Sequence, residues 1–131
     1  MIVDSSAVIA ILANEPEAAA FSGALQTARR VAMAAPTLVE LYVVADRARD
    51  PRARSALDDL LRTIGPEVEA FTAEHAAIAR QAHRNFGRGS GHPARLNLGD
   101  CFSYALAKAT GEPLLYKGED FGHTDIRSAL E

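Results

Sequence analysis

The sequence predicts an α/β fold built on a parallel sheet covered on both faces. Short apolar runs alternate with stretches of helical period from one end of the chain to the other. The clearest runs, Met1-Ile2-Val3 and Leu114-Leu115-Tyr116, are continuously apolar, as strands buried on both faces are. The length, 131 residues and 14.0 kDa, suits a single domain over 1–131, and neither an internal repeat nor a low-complexity linker interrupts it.

The elements follow in order. Met1-Ile2-Val3 forms a buried strand ending at Asp4, and Ser5-Ser6 turn the chain into a short helix over Ala7–Leu12. A second, Ala-rich helix runs from Glu17 to Arg30, with Phe21 and Leu25 four apart, and Val31-Ala32-Met33 is a brief strand. Pro36-Thr37 opens a helix carrying Leu38, Leu41, Tyr42 and Ala45 on one face, which ends in the Arg-rich stretch before Asp50-Pro51. Leu57, Leu60, Leu61 and Ile64 mark another helix, stopped by Gly65-Pro66. Val68 to Phe71 is a strand of period two. Thr72 caps a helix to Phe86 with Ile78 and Ala82 inward, and Gly87 to Pro93 is a flexible loop. Asn97 to Thr110 is helical, closed by Gly111 and Pro113. After the Leu114 strand, Lys117 to Asp120 is a turn and Ile126 lies in a last short strand.

Composition narrows the function. With 48% hydrophobic and 24% charged residues the chain is an ordinary globule, which excludes disordered and collagen-like classes. No apolar run approaches the roughly 18 residues of a membrane span, and Asp4 falls where a signal peptide needs a basic start and a long apolar stretch. A cytoplasmic protein is expected. Cys101 is the only cysteine, so a bound metal must be held by oxygen or imidazole. At a net charge of −3, a nucleic-acid partner would need a local basic patch.

In parallel α/β folds ligands bind beyond the carboxyl ends of the strands. Asp4 ends the first strand, Glu40 lies in the first turn of its helix, Asp100 opens a helix and Asp120 follows the last clear strand. Converging carboxylates repel unless a cation, a proton or a basic residue intervenes, and hard divalent cations such as Mg²⁺ and Mn²⁺ prefer such oxygens. Local structure offers a second explanation for two of them. Thr37-x-x-Glu40 and Asn97-x-x-Asp100 both match a capping box, in which the acid only satisfies a backbone N–H. Asp4, directly after a buried strand, is costly to desolvate unless it is paired or bound.

The segments Met1 to Ser6, Thr37 to Leu41, Leu96 to Ala107 and Pro113 to Phe121 resemble, in order, the motifs of PIN-domain ribonucleases, and most closely the VapC toxins of bacterial toxin–antitoxin pairs. The resemblance implies a three-layer α/β/α sandwich with a central parallel sheet and Mg²⁺ dependence, with Mn²⁺ as substitute. It implies endonucleolytic RNA cleavage by a metal-activated water, leaving 5′-phosphate and 3′-hydroxyl ends. Position by position it assigns the acidic quartet to Asp4, Glu40, Asp100 and Asp120, with Asp4 and Asp100 the firmest metal ligands and Glu119 peripheral. Asp125 matches a further position, which either supports the metal ligands or is a satisfied loop acid. A homodimer and a cognate VapB-like antitoxin are also implied.

Between Ala76 and Gly99 lie Arg80, Arg84, Arg88 and Arg95 and no acid, so this segment is either a phosphate-binding arm or a solvated face. Arg47, Arg49, Arg52 and Arg54 form a second cluster diluted by Asp46 and Asp50. Cys101 reads as a buried structural thiol. His75, His83, His92 and His123 are too scattered for a metal site. Lys117 either neutralises the carboxylates or is a solvated turn residue. Two other functions fit parts of the pattern: a catalytically degenerate PIN fold that only binds RNA, and a Mg²⁺-binding receiver-like signalling domain. The latter lacks a phosphoacceptor at the end of a central strand, since Asp46 and Asp50 follow a helix.

Overall fold

The computed structural model describes residues 1–131. Four parallel strands, β1 (Ile2–Val3), β2 (Ala32–Ala34), β3 (Glu67–Glu69) and β4 (Leu114–Leu115), lie in the order β3-β2-β1-β4. Six helices flank them: α1 (Ser5–Leu12), α2 (Ala18–Thr27), α3 (Ala35–Arg47), α4 (Pro51–Ile64), α5 (Ala73–Phe86) and α6 (Leu98–Thr110). Ile2 pairs with Ala32 on one side and Leu114 on the other, so β1 is central and Asp4 emerges between its two neighbours. None of the helices is long and apolar enough to cross a membrane.

Strand side chains alternate between faces, and this splits the core in two. Ile2, Ala32, Ala34 and Leu114 pack beneath α5 and α6 with Ala79, Ala82, Leu106 and Phe121. Val3, Met33 and Leu115 pack on the other face against Val8, Phe21, Leu41 and Leu57 from α1 to α4. The result is the three-layer α/β/α sandwich. The only fully buried side chain of α4 is Leu57, so that helix is held largely through it. Leu57→Ala is expected to cost about 2–5 kcal/mol, read from urea unfolding, through lost burial and a cavity the rest of the helix cannot close.

Local signals set most helix ends. The carboxylate of Asp50 accepts from Arg52 N at 3.0 Å ahead of Pro51, and Gly65 ends α4 at φ 61°, a left-handed conformation that costs glycine least. Thr72 caps α5, with His75 Nδ1 accepting from the Thr72 backbone in return. Other boundaries moved. The second helix is shorter than its Ala-rich run, and β2 sits one residue later than Val31. The third strand begins at Glu67 and ends before Phe71. Tyr116 lies outside β4, and Ile126 is not in a strand: the returning chain touches β4 at Ser128 through one isolated bridge. The glycine loop is pinned at its base, where Leu96 N donates to Phe86 O at 2.8 Å and Arg88 N to Leu96 O at 3.0 Å.

A carboxylate cluster at the strand ends

The carboxylates stand at the carboxyl ends of three adjacent strands, as the fold class leads one to expect. Asp4 follows β1 and caps α1; it is 1% exposed. Its Oδ2 accepts from the backbone N and hydroxyl of Ser6, at 3.1 and 2.6 Å, and its Oδ1 accepts from the buried Ser103 hydroxyl of α6 at 2.5 Å. Thr37 Oγ1 lies 3.4 Å from Ser103 Oγ, and Ser6 Oγ accepts from Lys117 N at 3.0 Å. Asp4 is therefore held in one orientation by hydroxyls from two helices. Neither Ser6 nor Ser103 stands out in the sequence as a site residue. Only the 99-residue separation closed by the sheet brings Ser103 to Asp4.

Glu40 does not occupy a first turn or a capping box. Helix α3 begins at Ala35 with Ala34 as its cap residue and no side-chain cap bond, so Thr37 turns inward to full burial and Glu40 falls in the second turn. The Glu40 carboxylate instead lies over the start of α6, where Gly99 makes room for it. A Cβ at Gly99 would overlap Glu40 Oε2 and come within 2.7 Å of its Cδ. Burial, and then the charge of Asp4, push the Glu40 carboxyl up, while the Ser5 hydroxyl draws it back. Its Oε1 is buried with no hydrogen-bond partner. Such an acceptor carries a desolvation cost that a cation would relieve.

Asp100 does form the capping box, and faces the cluster as well. Its Oδ2 accepts from Asn97 N at 2.9 Å, and Asn97 Oδ1 accepts from Asp100 N at 2.8 Å. Burial raises the Asp100 carboxyl to about 6; the Asn97 N–H opposes that rise, and Asp4, Asp120 and Glu40 add to it. Asp100 thus feels the other three acids, and Glu40 feels Asp4. Asp120 opens a one-turn 3-10 helix, Asp120–His123, and is solvent-exposed at the mouth of the cluster.

The raised Asp100 carboxyl has a stability consequence with a definite sign. Between the ordinary value near 3.8 and about 6 the folded state binds more protons than the unfolded chain. This group therefore favours folding at acid pH, and its contribution is lost as pH rises through that window. The metal-free protein is expected to melt at a higher temperature near pH 5 than near pH 7 on account of Asp100. Asp100→Asn should flatten that part of the profile in calorimetry.

The donors are all carboxylate oxygen, which hard divalent cations prefer and which differs from the sulfur and imidazole set of a structural zinc site. Cys101 is buried and its thiol is pushed up to about 11, first by burial, so it carries no thiolate at neutral pH. Lys117 does not neutralise the cluster: its ammonium pairs with Glu15 and lies 3.7 Å from Glu17. Asp125 is not joined to the cluster either. Tyr104 donates to it at 2.7 Å and Lys108 at 2.5 Å, and these bonds outweigh burial to hold its carboxyl below the ordinary range. It tethers the C-terminal loop to α6.

Arg80 and Arg84 lie on α5, Arg88 in the following loop and Arg95 in a left-handed turn at φ 50°. All four are exposed, and none has an ion-pair partner. In the second cluster, Arg54 pairs with Asp46 at 2.5 Å and Arg52 with Asp50 at 3.2 Å, and these acids flank the turn between α3 and α4 rather than the end of a strand.

The family model of the PIN domain matches residues 1–127. The VapC ribonuclease Mb2780c of Mycobacterium bovis is 52% identical over 129 residues, covering 98% of each chain. Ribonuclease VapC28 of Mycobacterium tuberculosis is 51% identical over 131 residues, 100% of this chain and 98% of its own. Among solved structures, Mycobacterium tuberculosis VapC20, a sarcin–ricin loop cleaving toxin, superposes with a TM-score of 0.72 at 20% identity over 95% of both chains. A toxin–antitoxin complex from Klebsiella pneumoniae gives 0.64 at 20% identity, over 92% of this chain and 88% of that one.

Proposed function

This chain belongs to the PIN-domain family, and from that premise we propose that residues 1–131 form one PIN domain, a divalent-metal-dependent endoribonuclease of the VapC type. The carrying observation is the cluster of Asp4, Glu40, Asp100 and Asp120 at three adjacent strand ends, with Glu40 Oε1 left without a partner. Asp4 and Asp100 are the residues that would hold Mg²⁺, or Mn²⁺ in its place, and Glu40 and Asp120 complete the oxygen set. When bound, the cation supplies Lewis acidity toward phosphoryl oxygen and lowers the pKa of water.

The chain's own residues then divide the work. Ser6 and Ser103 keep Asp4 in a fixed orientation and saturate its inner lone pairs, so the remaining ones face the cleft. The Asn97 N–H holds Asp100 Oδ2 and leaves Oδ1 for the site. Glu40 and Asp120 orient the attacking water and accept its proton. Arg80, Arg84, Arg88 and Arg95 draw RNA phosphates toward this acidic mouth. A cytoplasmic nuclease with this open cleft needs an inhibitor, and a VapB-like antitoxin that inserts an arginine or lysine among the carboxylates would displace both cation and phosphate. The relatives named VapC ribonucleases support the RNA substrate.

The test is cleavage of total RNA by the purified protein. Activity should vanish in EDTA, return with Mg²⁺ or Mn²⁺, and leave 5′-phosphate ends whose sequences identify the target. Added Mg²⁺ should raise the melting temperature of the wild type through mass action and should not do so for Asp4→Asn. Cleavage that survives EDTA would overturn the metal site. A Mg²⁺-dependent shift with no cleavage of any RNA would mark a degenerate, binding-only PIN fold.

A further inference from the structure

Resting on the nuclease reading, we propose that Thr37 is a positioning residue of the metal centre. It acts through Ser103 on Asp4, and the crossing it makes with Ser103 fixes Glu40 and Asp100 relative to each other. Asp4, Thr37 and Ser103 are the only polar or charged side chains buried in the fold, at 1%, 0% and 0% exposure, and they form a single chain. Ser103 Oγ donates to Asp4 Oδ1 at 2.5 Å, and Thr37 Oγ1 lies 3.4 Å from Ser103 Oγ. A helix crossing that needed only packing would be apolar, as the rest of this core is, because a buried hydroxyl is costly to desolvate.

Proton count sets the direction of the chain. Ser103 has one hydroxyl proton and donates it to a carboxylate, which only accepts, so Thr37 is the donor to Ser103. Both protons then point toward Asp4, and bonds aligned in this way polarise one another. Every bond the Asp4 carboxylate accepts comes from a neutral group, the Ser6 N–H or the hydroxyls of Ser6 and Ser103, so this alignment stands where a basic side chain could have stood. Helical spacing carries the rest. Thr37 precedes Glu40 by three residues on α3, and Ser103 follows Asp100 by three on α6, so each hydroxyl sits one turn from a carboxylate on its own helix. At the level of those carboxylates, Glu40 rests over Gly99. Two contacts about 5 Å apart along the helices keep α3 from sliding or turning against α6, and Glu40 and Asp100 keep their separation.

Thr37→Val keeps the shape and removes the hydroxyl, whereas Thr37→Ser keeps the hydroxyl. Mn²⁺ affinity of the full chain, read by electron paramagnetic resonance, should fall about tenfold in Thr37→Val and about 30-fold in Ser103→Ala, the scale for groups that orient metal ligands. The order follows from the bonds, 3.4 Å for Thr37 against 2.5 Å for Ser103. Thr37→Ser should recover to within about threefold of wild type. In RNA cleavage the loss should fall on kcat and leave KM for RNA unchanged, since neither hydroxyl is exposed to substrate. Thr37→Ala removes the hydroxyl without adding an atom, and it repeats the test where valine disturbs the crossing.

The double variant separates one chain from two independent contacts. With Thr37 acting through Ser103, Thr37→Val/Ser103→Ala should bind Mn²⁺ within about twofold of Ser103→Ala alone, whereas independent effects would multiply to about 300-fold. A multiplied loss overturns the proposal. So does wild-type affinity in the hydroxyl-free Thr37 variants, or a Thr37→Ser protein as weak as Thr37→Val. A wild type that binds Mn²⁺ and cuts no RNA sinks the nuclease reading alone, because the affinities still decide the role of Thr37. A wild type that binds no Mn²⁺ overturns the metal centre and this role with it.

Discussion

Asp100→Asn, and equally Asp4→Asn, should lower RNA cleavage by about 10³-fold or more, the scale on which losing a positioned charged group from an active centre is felt. The fold should survive both changes. The side-chain oxygen of an asparagine at position 100 can still accept from Asn97 N, keeping the cap on α6. An amide at position 4 can still accept one serine hydroxyl. Removing one negative charge from a crowded, half-buried cluster also relieves repulsion, so the metal-free Asp100→Asn protein should melt slightly above wild type at neutral pH. The two readouts must move in opposite directions. A variant within threefold of wild-type cleavage would remove that residue from the site, and an unfolded one would make its role structural.

Gly99→Ala should have the second largest effect, although it adds a single methyl group. That methyl would overlap the Glu40 carboxylate, and the first turn of α6 is held by the Asn97 and Asp100 cap bonds. Glu40 must therefore swing away. A displacement of about 1 Å at a reacting centre can cost around 10²-fold. Stability should change by less than about 1 kcal/mol, since alanine favours the helix while the displaced carboxylate offsets the gain. Gly23→Ala in α2 is the control. Nothing lies within 4 Å of a Cβ there, so it should stabilise by about 0.5–1 kcal/mol and leave cleavage unchanged. Equal cleavage by both variants would show that the place of Glu40 over Gly99 is immaterial to the reaction.

Much of this architecture is legible in the chain because its causes are local. Asp50-Pro51, Thr72 and Asn97 open helices with bonds spanning two or three residues, and Gly65 and Gly111 close them in left-handed turns. The alternation of β1 across the sheet follows from backbone geometry alone. The same reasoning fails at Thr37-x-x-Glu40, whose spacing is that of a cap. There the cap falls three residues earlier, at Ala34, and a threonine that could have capped is buried against Ser103. Spacing cannot reveal this, because what competes with the cap is a hydroxyl 66 residues away. Lys117 and Asp125 are similar cases: their charges suggest the cluster, and their nearest partners, Glu15 for one and Lys108 and Tyr104 for the other, lie elsewhere.

By itself the sequence determined which residue types stand at the strand ends, the helical and strand periods, and four carboxylates in an order that matches one family's motifs. Only the tertiary structure decided that Ser103 holds Asp4, that Gly99 admits Glu40, and that Asp100 titrates near 6. The physical reason is range. Caps and periods are set by neighbours a few residues away. Desolvation, carboxylate repulsion and steric room depend on which distant segments the β3-β2-β1-β4 order brings to the same edge.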